Sequence, residues 1–243
     1  MTTTNTARSR SIPVSLLAVA AMIAALVVST AAGEHTANAR SHGSASSANV
    51  AGAGHHAAGS RAFTARQAAF HDQMRKLWDV HVTWTRLAIV SFAEGSRGFD
   101  ATARRLLRNQ RDIGNAIKPF YGKAAGNRLT GLLDEHITTA VELLQAARAG
   151  DQAKVTAASR RWYANSNHIA DFLAAANPRF WPRHAMRSAM RTHLDQTLAE
   201  AQHELTGHYA ASVADYNAVH AHILEMADTL SNGILRSFPG HFR

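Results

Sequence analysis

The sequence predicts an all-α protein, an antiparallel bundle of about six helices joined by short loops. Apolar residues recur at helical spacing along several stretches, and Gly, Asp or Pro residues separate these stretches. No segment alternates between apolar and polar residues over a useful length, and runs of β-branched residues are absent. Once the first sixty or so residues are set aside, about 180 remain, enough for one domain with a hydrophobic core.

The N-terminus resembles an export signal. Arg8 and Arg10 precede an apolar run that starts at Ile12 and ends in small residues, a pattern typical of a secretory signal peptide over residues 1–32. The small residues place a cleavage site near Ala31, and the run is also long enough to be an uncleaved anchor. We therefore expect an exported protein, secreted or in the cell envelope, and membrane-anchored if the run is not cleaved.

Residues 33–61 consist mainly of Ala, Gly, Ser and His. A segment with so few large apolar residues cannot offset its ordering entropy, so we expect a disordered linker followed by a helical domain over residues 62–243. The chain has no cysteine, which excludes disulfides, thiolate metal ligands and a cysteine nucleophile. Packing alone must therefore hold this exported domain together.

The first three helices follow from apolar spacing and from the residues that interrupt it. The first should span residues 63–93 and end at the glycine-containing loop 95–98. Asp100 is a suitable N-cap for the second, which should be interrupted near residues 109–112 and continue to Pro119. The third should cover residues 123–149 and stop at Gly150, since glycine readily ends a helix.

The last three helices are delimited by an acidic cap and by prolines. Asp151 should cap the fourth helix directly after Gly150, so that the third and fourth form a hairpin. The fourth ends at Asn177, because the residue before a proline avoids the helical region. Pro182 suits the first turn of the fifth helix, and Gly207 separates that helix from the sixth, which stops before residue 239.

The chain is basic, with a formal net charge of +9. Two helical stretches carry rows of arginines, namely Arg104, Arg105, Arg108 and Arg111, and Arg183, Arg187 and Arg191. Such rows are typical of a solvated helix face. The alternative is an anionic partner, which for an exported protein means an envelope component such as a polymer or phospholipid head groups. No pattern of specific nucleic-acid recognition accompanies the charge.

Three histidines lie in or beside apolar stripes on three different helices. Imidazole and carboxylate groups suit zinc, iron, manganese or copper, and bundle cores often assemble such ligands from facing helices. The proposed metal ligands are His81, His136, His193, Glu200 and Asp228, and the cofactor would be a divalent transition metal. The alternative is that each histidine is an ordinary core residue bonded to a neighbouring polar group.

Catalytic signatures are weaker than the signs of binding. No nucleophile elbow is present, and a ferritin-like di-iron site would need two Glu-x-x-His pairs, whereas the chain offers one, Glu200 with His203. Arg86 is interpreted as a surface cation, with a buried ion pair as the alternative. We therefore expect non-enzymatic binding of a metal ion, small ligand or envelope partner. The alternatives are a metal-dependent enzyme using the same histidines and a purely structural or interaction protein.

Four segments resemble a family of uncharacterised bacterial all-helical proteins. They are M-R-K-L-W-x-x-H-V-x-W-T-R (74–86), R-L-L-x-N-Q-x-D-I-G-N-A-I-K-P-F-Y-G (105–122), R-W-Y-A-N (161–165) and M-A-D-x-L-S-x-G-I (226–234). Members often carry the automated label acetylglutamate kinase, yet amino-acid kinases are α/β proteins with glycine-rich phosphate loops, and this sequence predicts neither strands nor such a loop. The resemblance implies a helical fold and motif positions at His81, Trp84, Arg86, His136, His193, Glu200 and Asp228.

Overall fold

The structure is a computed structural model that describes residues 63–243, and this part of the chain is helical with no strand. Its helices are α1 (Ala65–Ala93), α2 (Phe99–Ala149), α3 (Gln152–Ala176), α4 (Arg183–Leu205) and α5 (Tyr209–Ser237), followed by a 3₁₀ turn (Pro239–Phe242). The predicted all-α class is confirmed. The predicted signal peptide (1–32) and linker (33–61) lie outside the described residues. No helix in the described part is long and apolar enough to span a bilayer.

The helices pack in a closed cycle. Helix α1 packs against α2, α2 against α3, α3 against α4 and α4 against α5, while α5 returns to α1. Each helix contributes buried apolar residues to one continuous core, as expected for an amphipathic bundle. Because of this closure, the first and last helices of the described chain are direct neighbours.

Helix α1 begins at a capping box and ends at a glycine turn. The Thr64 hydroxyl accepts a hydrogen bond from the Gln67 backbone N–H, and the Gln67 side chain accepts one from the Thr64 N–H. After Ala93 the chain turns through Gly95, whose φ of 65° favours glycine. The prediction that Asp100 caps α2 is wrong, because the N-cap is Gly98 and Asp100 lies in the first turn.

Helix α2 is interrupted at Gly122, where φ is 86° and ψ is 165°, values far from helical. The chain folds back sharply at this point. A Cβ added to Gly114 would lie 2.6 Å from the Gly126 carbonyl oxygen, and one added to Gly126 would lie 2.5 Å from that of Gly114. In a straight helix these residues would be about 18 Å apart. The two segments, 99–121 and 123–149, therefore cross in backbone contact.

The interruption predicted near residues 109–112 is wrong. These residues are helical, and Asn109 and Gln110 are fully buried. Asn109 donates its side-chain N–H to the Leu77 carbonyl at 3.0 Å, and Gln110 contacts His81. The two polar residues that resembled a helix break are therefore internal hydrogen-bonding partners of α1.

The turn between α2 and α3 matches the prediction. Gly150 adopts a left-handed conformation (φ 70°) at the end of α2. Asp151 follows and accepts a hydrogen bond from the Lys154 backbone N–H at 3.0 Å. Helix α3 ends at Ala176, with Asn177 as its C-cap before the proline. Pro182 is the N-cap of α4, one residue before its predicted position in the first turn.

Tight packing around Trp181 defines one end of the bundle, called here the Trp181 end. The Trp181 indole N–H donates to the Thr229 carbonyl at 3.2 Å, and a Cβ on Gly233 would lie 2.1 Å from that nitrogen. The Tyr121 ring contacts the Trp181 ring, with centroids 5.7 Å apart. The Thr64 hydroxyl donates to the Phe242 carbonyl at 3.3 Å. The Trp181 end therefore includes the Gly122 turn, the α3–α4 connection and both ends of the described chain.

Candidate functional site

Three buried histidines meet in the middle of the bundle and are called here the histidine layer. His81 comes from α1, His136 from α2 and His193 from α4, and their exposed fractions are only 2%, 4% and 4%. The ring centroid of His193 lies 5.9 Å from that of His81 and 6.3 Å from that of His136. The structure therefore brings together the three histidines that the sequence predicts to face inward, with His193 between the other two.

The tautomer of His136 is set by an asparagine on α3. His136 Nδ1 lies 3.2 Å from Asn165 Oδ1, while the Asn165 amide N–H donates to the Leu132 carbonyl at 3.1 Å. Because that second bond fixes the amide orientation, the Asn165 oxygen faces the imidazole and accepts its Nδ1 hydrogen. His136 therefore keeps the lone pair on Nε2, the form in which a histidine binds metal.

His81 has the opposite arrangement. The Gln110 side-chain nitrogen lies 3.2 Å from His81 Nδ1 and 2.8 Å from the Leu106 carbonyl. The amide therefore donates to both groups, so His81 Nδ1 carries the lone pair and Nε2 carries the hydrogen. The Gln110 Oε1 atom is buried and has no hydrogen-bond partner.

His193 is the least satisfied member of the layer, because its Nδ1 atom is buried without a hydrogen-bond partner. Two tryptophans flank the other histidines. The Trp78 ring lies edge-on to His81 at 5.6 Å, and the Trp162 ring stacks on His136 at 5.3 Å. Both indole N–H groups are also buried without a partner. A buried unpaired polar group costs about 1–3 kcal/mol, so these groups lower the free energy of unfolding.

Burial keeps all three imidazoles neutral. Removal from water lowers the pKa of His81 to about 3, with a smaller contribution from His136. Burial likewise lowers the pKa of His136 to about 4 against the raising effect of Asn165. The pKa of His193 falls well below its usual value through burial and then through the neighbouring histidines. Near neutral pH the layer therefore presents uncharged imidazole nitrogens.

A small apolar cavity of about 60 Å³ lies one helical turn from the histidine layer. Thr85, Ala140 and Thr197 line it, each four residues after a layer histidine on the same helix. The threonine hydroxyls donate to the carbonyls of His81 (2.9 Å) and His193 (2.8 Å), so the cavity wall remains apolar. The space is large enough for only a very small molecule.

Glu200 belongs to a second buried cluster, the Arg86 network, formed by Arg86, Glu200, Glu204 and Ser212. Arg86 lies 3.3 Å from a Glu200 oxygen and 2.9 Å from a Glu204 oxygen, and it also bonds to the Ser212 hydroxyl, which donates to Glu204 at 2.7 Å. The interpretation of Arg86 as a surface cation is therefore wrong, since it is the partner of two buried carboxylates. The sequence could not identify them, because both lie more than 110 residues away.

Burial raises the pKa of Glu200 to about 7, although Arg86 opposes the change. Asp215 and Glu204 add to the rise through like-charge repulsion. The Arg86 guanidinium group thus pairs with two carboxylates, and Glu200 keeps its proton until the pH is near neutral. Glu200 is therefore the partner of Arg86 in this structure, seven residues beyond His193 on α4.

Asp228 lies in a third location. Its carboxylate binds Arg75 at 2.6 Å and His71 at 3.1 Å on α1, and its side chain is 37% exposed. Arg75 precedes His81 by six residues, which corresponds to about 9 Å along the helix. Of the five predicted metal ligands, the structure brings the three histidines together and places Glu200 and Asp228 in separate ion pairs. In residues 63–243 no group of three or more His, Cys, Asp or Glu side chains is arranged to hold a metal ion.

The two amides that hold the histidines, Gln110 and Asn165, were missed by sequence reasoning. Each lies 29 residues from its histidine, so that spacing along one helix could not connect them. The available signal was a polar amide inside an apolar stripe, which indicates an internal partner because an unpaired buried amide is costly.

No protein-family model, curated protein sequence or solved structure matches this chain. The resemblance to the bacterial helical family therefore stays a prediction, and the functional argument depends on the described side chains alone.

Proposed function

We propose that this protein is a non-enzymatic binding protein whose histidine layer holds one divalent transition metal ion. The observation that carries the proposal is the meeting of three neutral, buried imidazoles from three helices around His193, whose Nδ1 has no partner. Leucine would pack at these positions at lower cost than imidazole. A set of neutral imidazole nitrogens suits zinc, copper, nickel or cobalt.

The spacing of the rings requires a modest contraction. A zinc–nitrogen bond of about 2.0–2.1 Å places neighbouring ring centroids about 5–5.5 Å apart. The observed separations of 5.9 and 6.3 Å are therefore slightly too long for coordination. Closure by movement of the rings, by about 0.4–0.9 Å between His81 and His193 and about 0.8–1.3 Å between His136 and His193, would bring these two pairs to that spacing.

The two amides then act as partners of the ligands. Asn165 already holds His136 with the Nε2 lone pair available. Binding through His81 Nε2 requires the Gln110 amide to turn over, so that its unpaired Oε1 accepts the His81 Nδ1 hydrogen. This exchange gives up the bond to the Leu106 carbonyl and satisfies an oxygen that otherwise has no partner.

Burial favours binding over catalysis. A catalytic metal needs an open coordination position that substrate can reach, whereas the layer histidines are at most 4% exposed. The adjacent cavity of about 60 Å³ is too small for most substrates. A bound metal ion would therefore stabilise the folded protein and would not activate a substrate.

The test is thermal unfolding of the metal-free protein with and without Zn²⁺, Co²⁺ or Cu²⁺, combined with measurement of bound metal by elemental analysis. Binding to the native state alone should raise the melting temperature and give one ion per chain. Each of His81→Ala, His136→Ala and His193→Ala should abolish the metal-dependent shift, measured against the metal-free melting temperature of the same variant.

The matched control is His220→Ala. His220 is only partly buried and bonds to the Asp79 carboxylate at 2.7 Å. It should keep the full metal-dependent shift. A shift that survives all three layer substitutions, or no shift with any metal, would contradict the proposal and leave the histidines as core residues.

We also propose export, together with an alternating up-and-down arrangement of six helical segments. Export is supported by Arg8, Arg10 and the apolar run of residues 12–32. The alternating arrangement is supported by the backbone crossing of residues 114 and 126 around Gly122. N-terminal sequencing of protein from the producing cell tests export, since a mature chain beginning near residue 32 is expected and an intact N-terminus would indicate an anchor.

A further inference from the structure

The two ends of the bundle differ in charge. Within two helical turns of the Trp181 end there are nine cationic side chains, against two acidic side chains and the C-terminal carboxylate. The cations are Arg66, Lys118, Lys123, Arg128, Arg179, Arg183, Arg187, Arg236 and Arg243, and the acidic residues are Asp72 and Asp171. Within the same distance of the opposite end there are six cations (Arg86, Arg97, Arg104, Arg105, Arg148 and Lys154) and seven acidic residues (Glu94, Asp100, Glu142, Asp151, Glu200, Glu204 and Asp215). The excess positive charge of the domain is therefore concentrated at one end.

The arginines at the Trp181 end are exposed and held in place. Arg179 and Arg236 both lie over the Phe180 ring, at 5.3 and 4.6 Å from its centroid. Arg183 and Arg187 share one carboxylate, that of Asp171, at 2.6 and 2.7 Å. Hydrogen bonds from these two guanidinium groups hold the pKa of Asp171 well below its usual range, so it stays ionised and still leaves one net positive charge.

The preceding 62 residues join the domain at this same end. The capping residue Thr64 contacts Phe242, and Arg66 bonds to the Arg243 carbonyl, so the first described residues lie beside the last ones. Phe63, the first described residue, is 46% exposed. A segment that ties the chain to a membrane from its N-terminal side would therefore be attached to the domain at its cationic end.

We propose that the Trp181 end docks on an anionic phospholipid surface. Guanidinium groups bind phosphate oxygens through paired hydrogen bonds, and arginine is less strongly hydrated than lysine, so arginines suit phosphate head groups. A soluble anionic polymer would bind the same charges, but where the apolar run of residues 12–32 is retained as an anchor, the N-terminal segment enters the domain at this end and favours a membrane surface. The proposal does not depend on the metal site.

The first test compares binding of the full chain to vesicles of phosphatidylglycerol mixed with phosphatidylcholine and to vesicles of phosphatidylcholine alone. Any insertion of the N-terminal apolar run contributes equally to binding of both kinds of vesicle. The ratio of the two partition coefficients therefore reports only the contribution of the head-group charge. Each cation near an anionic surface contributes roughly a fivefold increase in partitioning. The double variant Arg179→Glu/Arg236→Glu should therefore lower the ratio by roughly 25-fold or more.

The matched control is Arg97→Glu/Arg104→Glu, which makes the same change in net charge at the opposite end. Both arginines are exposed. This variant should keep most of the preference for anionic vesicles, and the preference should fall with added salt as the Debye length shortens. Equal losses in both double variants would overturn the proposal, because net charge rather than location would then control binding.

A second measurement reports orientation directly. The chain has no cysteine, so a single cysteine can carry an environment-sensitive dye, placed at Ala124 near the Trp181 end or at Ala210 near the opposite end, both exposed alanines in helices. On anionic vesicles the dye at residue 124 should shift to shorter wavelength and the dye at residue 210 should not. A shift at residue 210 alone would overturn the proposal. Binding to soluble heparin without a preference for anionic vesicles would overturn it as well.

Discussion

The histidine layer and the Arg86 network lie two helical turns apart on α4, yet burial changes the pKa values of their groups in opposite directions. It lowers the pKa of the histidines, to about 3 for His81, and raises that of Glu200 to about 7. In both places burial favours the neutral form, because charge is poorly solvated in the interior. A single arginine shared between two carboxylates does not reverse this effect. The protein should therefore be most stable near neutral pH, because acid protonates the buried histidines and alkali ionises the buried Glu200.

The largest expected effect is acid unfolding driven by the histidine layer. An unfolded histidine takes up a proton near pH 6.5, whereas the folded layer resists protonation until about pH 4 or below, so stability falls as pH drops through this window. Each histidine contributes a loss of about 1.4 kcal/mol per pH unit. Since domain stabilities are about 5–15 kcal/mol, we expect unfolding before about pH 4.

Circular dichroism as a function of pH measures this effect. His193→Leu should reduce the pH dependence of unfolding free energy between about pH 6 and 4.5 by roughly one third. The comparison variant His220→Gln removes a half-exposed histidine that pairs with Asp79 and should leave the steep loss in place. An unchanged slope for His193→Leu would show that the layer is not what makes the protein acid-sensitive.

Loss of the shared cation should give the next largest effect. Arg86→Leu leaves Glu200 and Glu204 buried without a positive partner, and breaking a buried ion pair in this way costs about 3–5 kcal/mol. Urea unfolding at pH 7.5 measures the change. Arg75→Leu is the comparison, because its pair with Asp228 is partly exposed and should be worth about 1 kcal/mol or less. Equal costs for the two variants would contradict the distinction between buried and exposed pairs.

Glu200→Gln should stabilise the protein at alkaline pH. The folded pKa of about 7 exceeds the unfolded value of about 4.5, so the contribution of Glu200 is fully present below pH 4.5 and is lost as pH rises through 7. Glutamine imitates the protonated form and should raise the unfolding free energy by about 2–3 kcal/mol at pH 8. At pH 5 the difference from the parent should be small, and a gain of equal size at both pH values would refute the assignment.

The smallest effect should come from an amide that holds the layer. Gln110→Met removes the bonds to His81 Nδ1 and to the Leu106 carbonyl, but it also removes the unpaired Oε1 atom, so the net loss should be about 1 kcal/mol. Asn165→Leu also breaks two bonds, to His136 and to the Leu132 carbonyl, but it removes no unpaired polar atom in exchange and should therefore cost more. Urea unfolding of both variants ranks them, and nitrogen NMR of the imidazoles reports whether the tautomers of His81 and His136 differ as described.

Helix positions and the inward direction of the three histidines were predictable, because periodicity reports which face of a helix is apolar. Periodicity does not report which residues meet at the same height in the bundle. Glu200 and Asp228 were therefore grouped with the histidines, although they pair with Arg86 and Arg75.

The fold-back of α2 shows a second limit. Asn109 and Gln110 resembled a break because polar residues interrupt the apolar pattern, but they are helical, and the turn is made by Gly122, at the boundary predicted between Pro119 and residue 123. Gly114 lies inside a helix, where glycine usually weakens the structure, yet it is the site of close contact with Gly126. Gly122 permits a turn with positive φ, and Gly114 permits close approach of two backbone segments. The local sequence does not distinguish these two uses of glycine.

The closed cycle of helices has a consequence for how the chain assembles. Helix α1 requires α5 as a neighbour, and α5 is the last of the described helices to be synthesised, so the cycle cannot close until all five helices have been made. The hairpin within α2 joins residues close in sequence and can form much sooner. Since Thr64 and Phe242 are in contact, the order of the helices could also be permuted by joining these ends and opening the loop at Gly207.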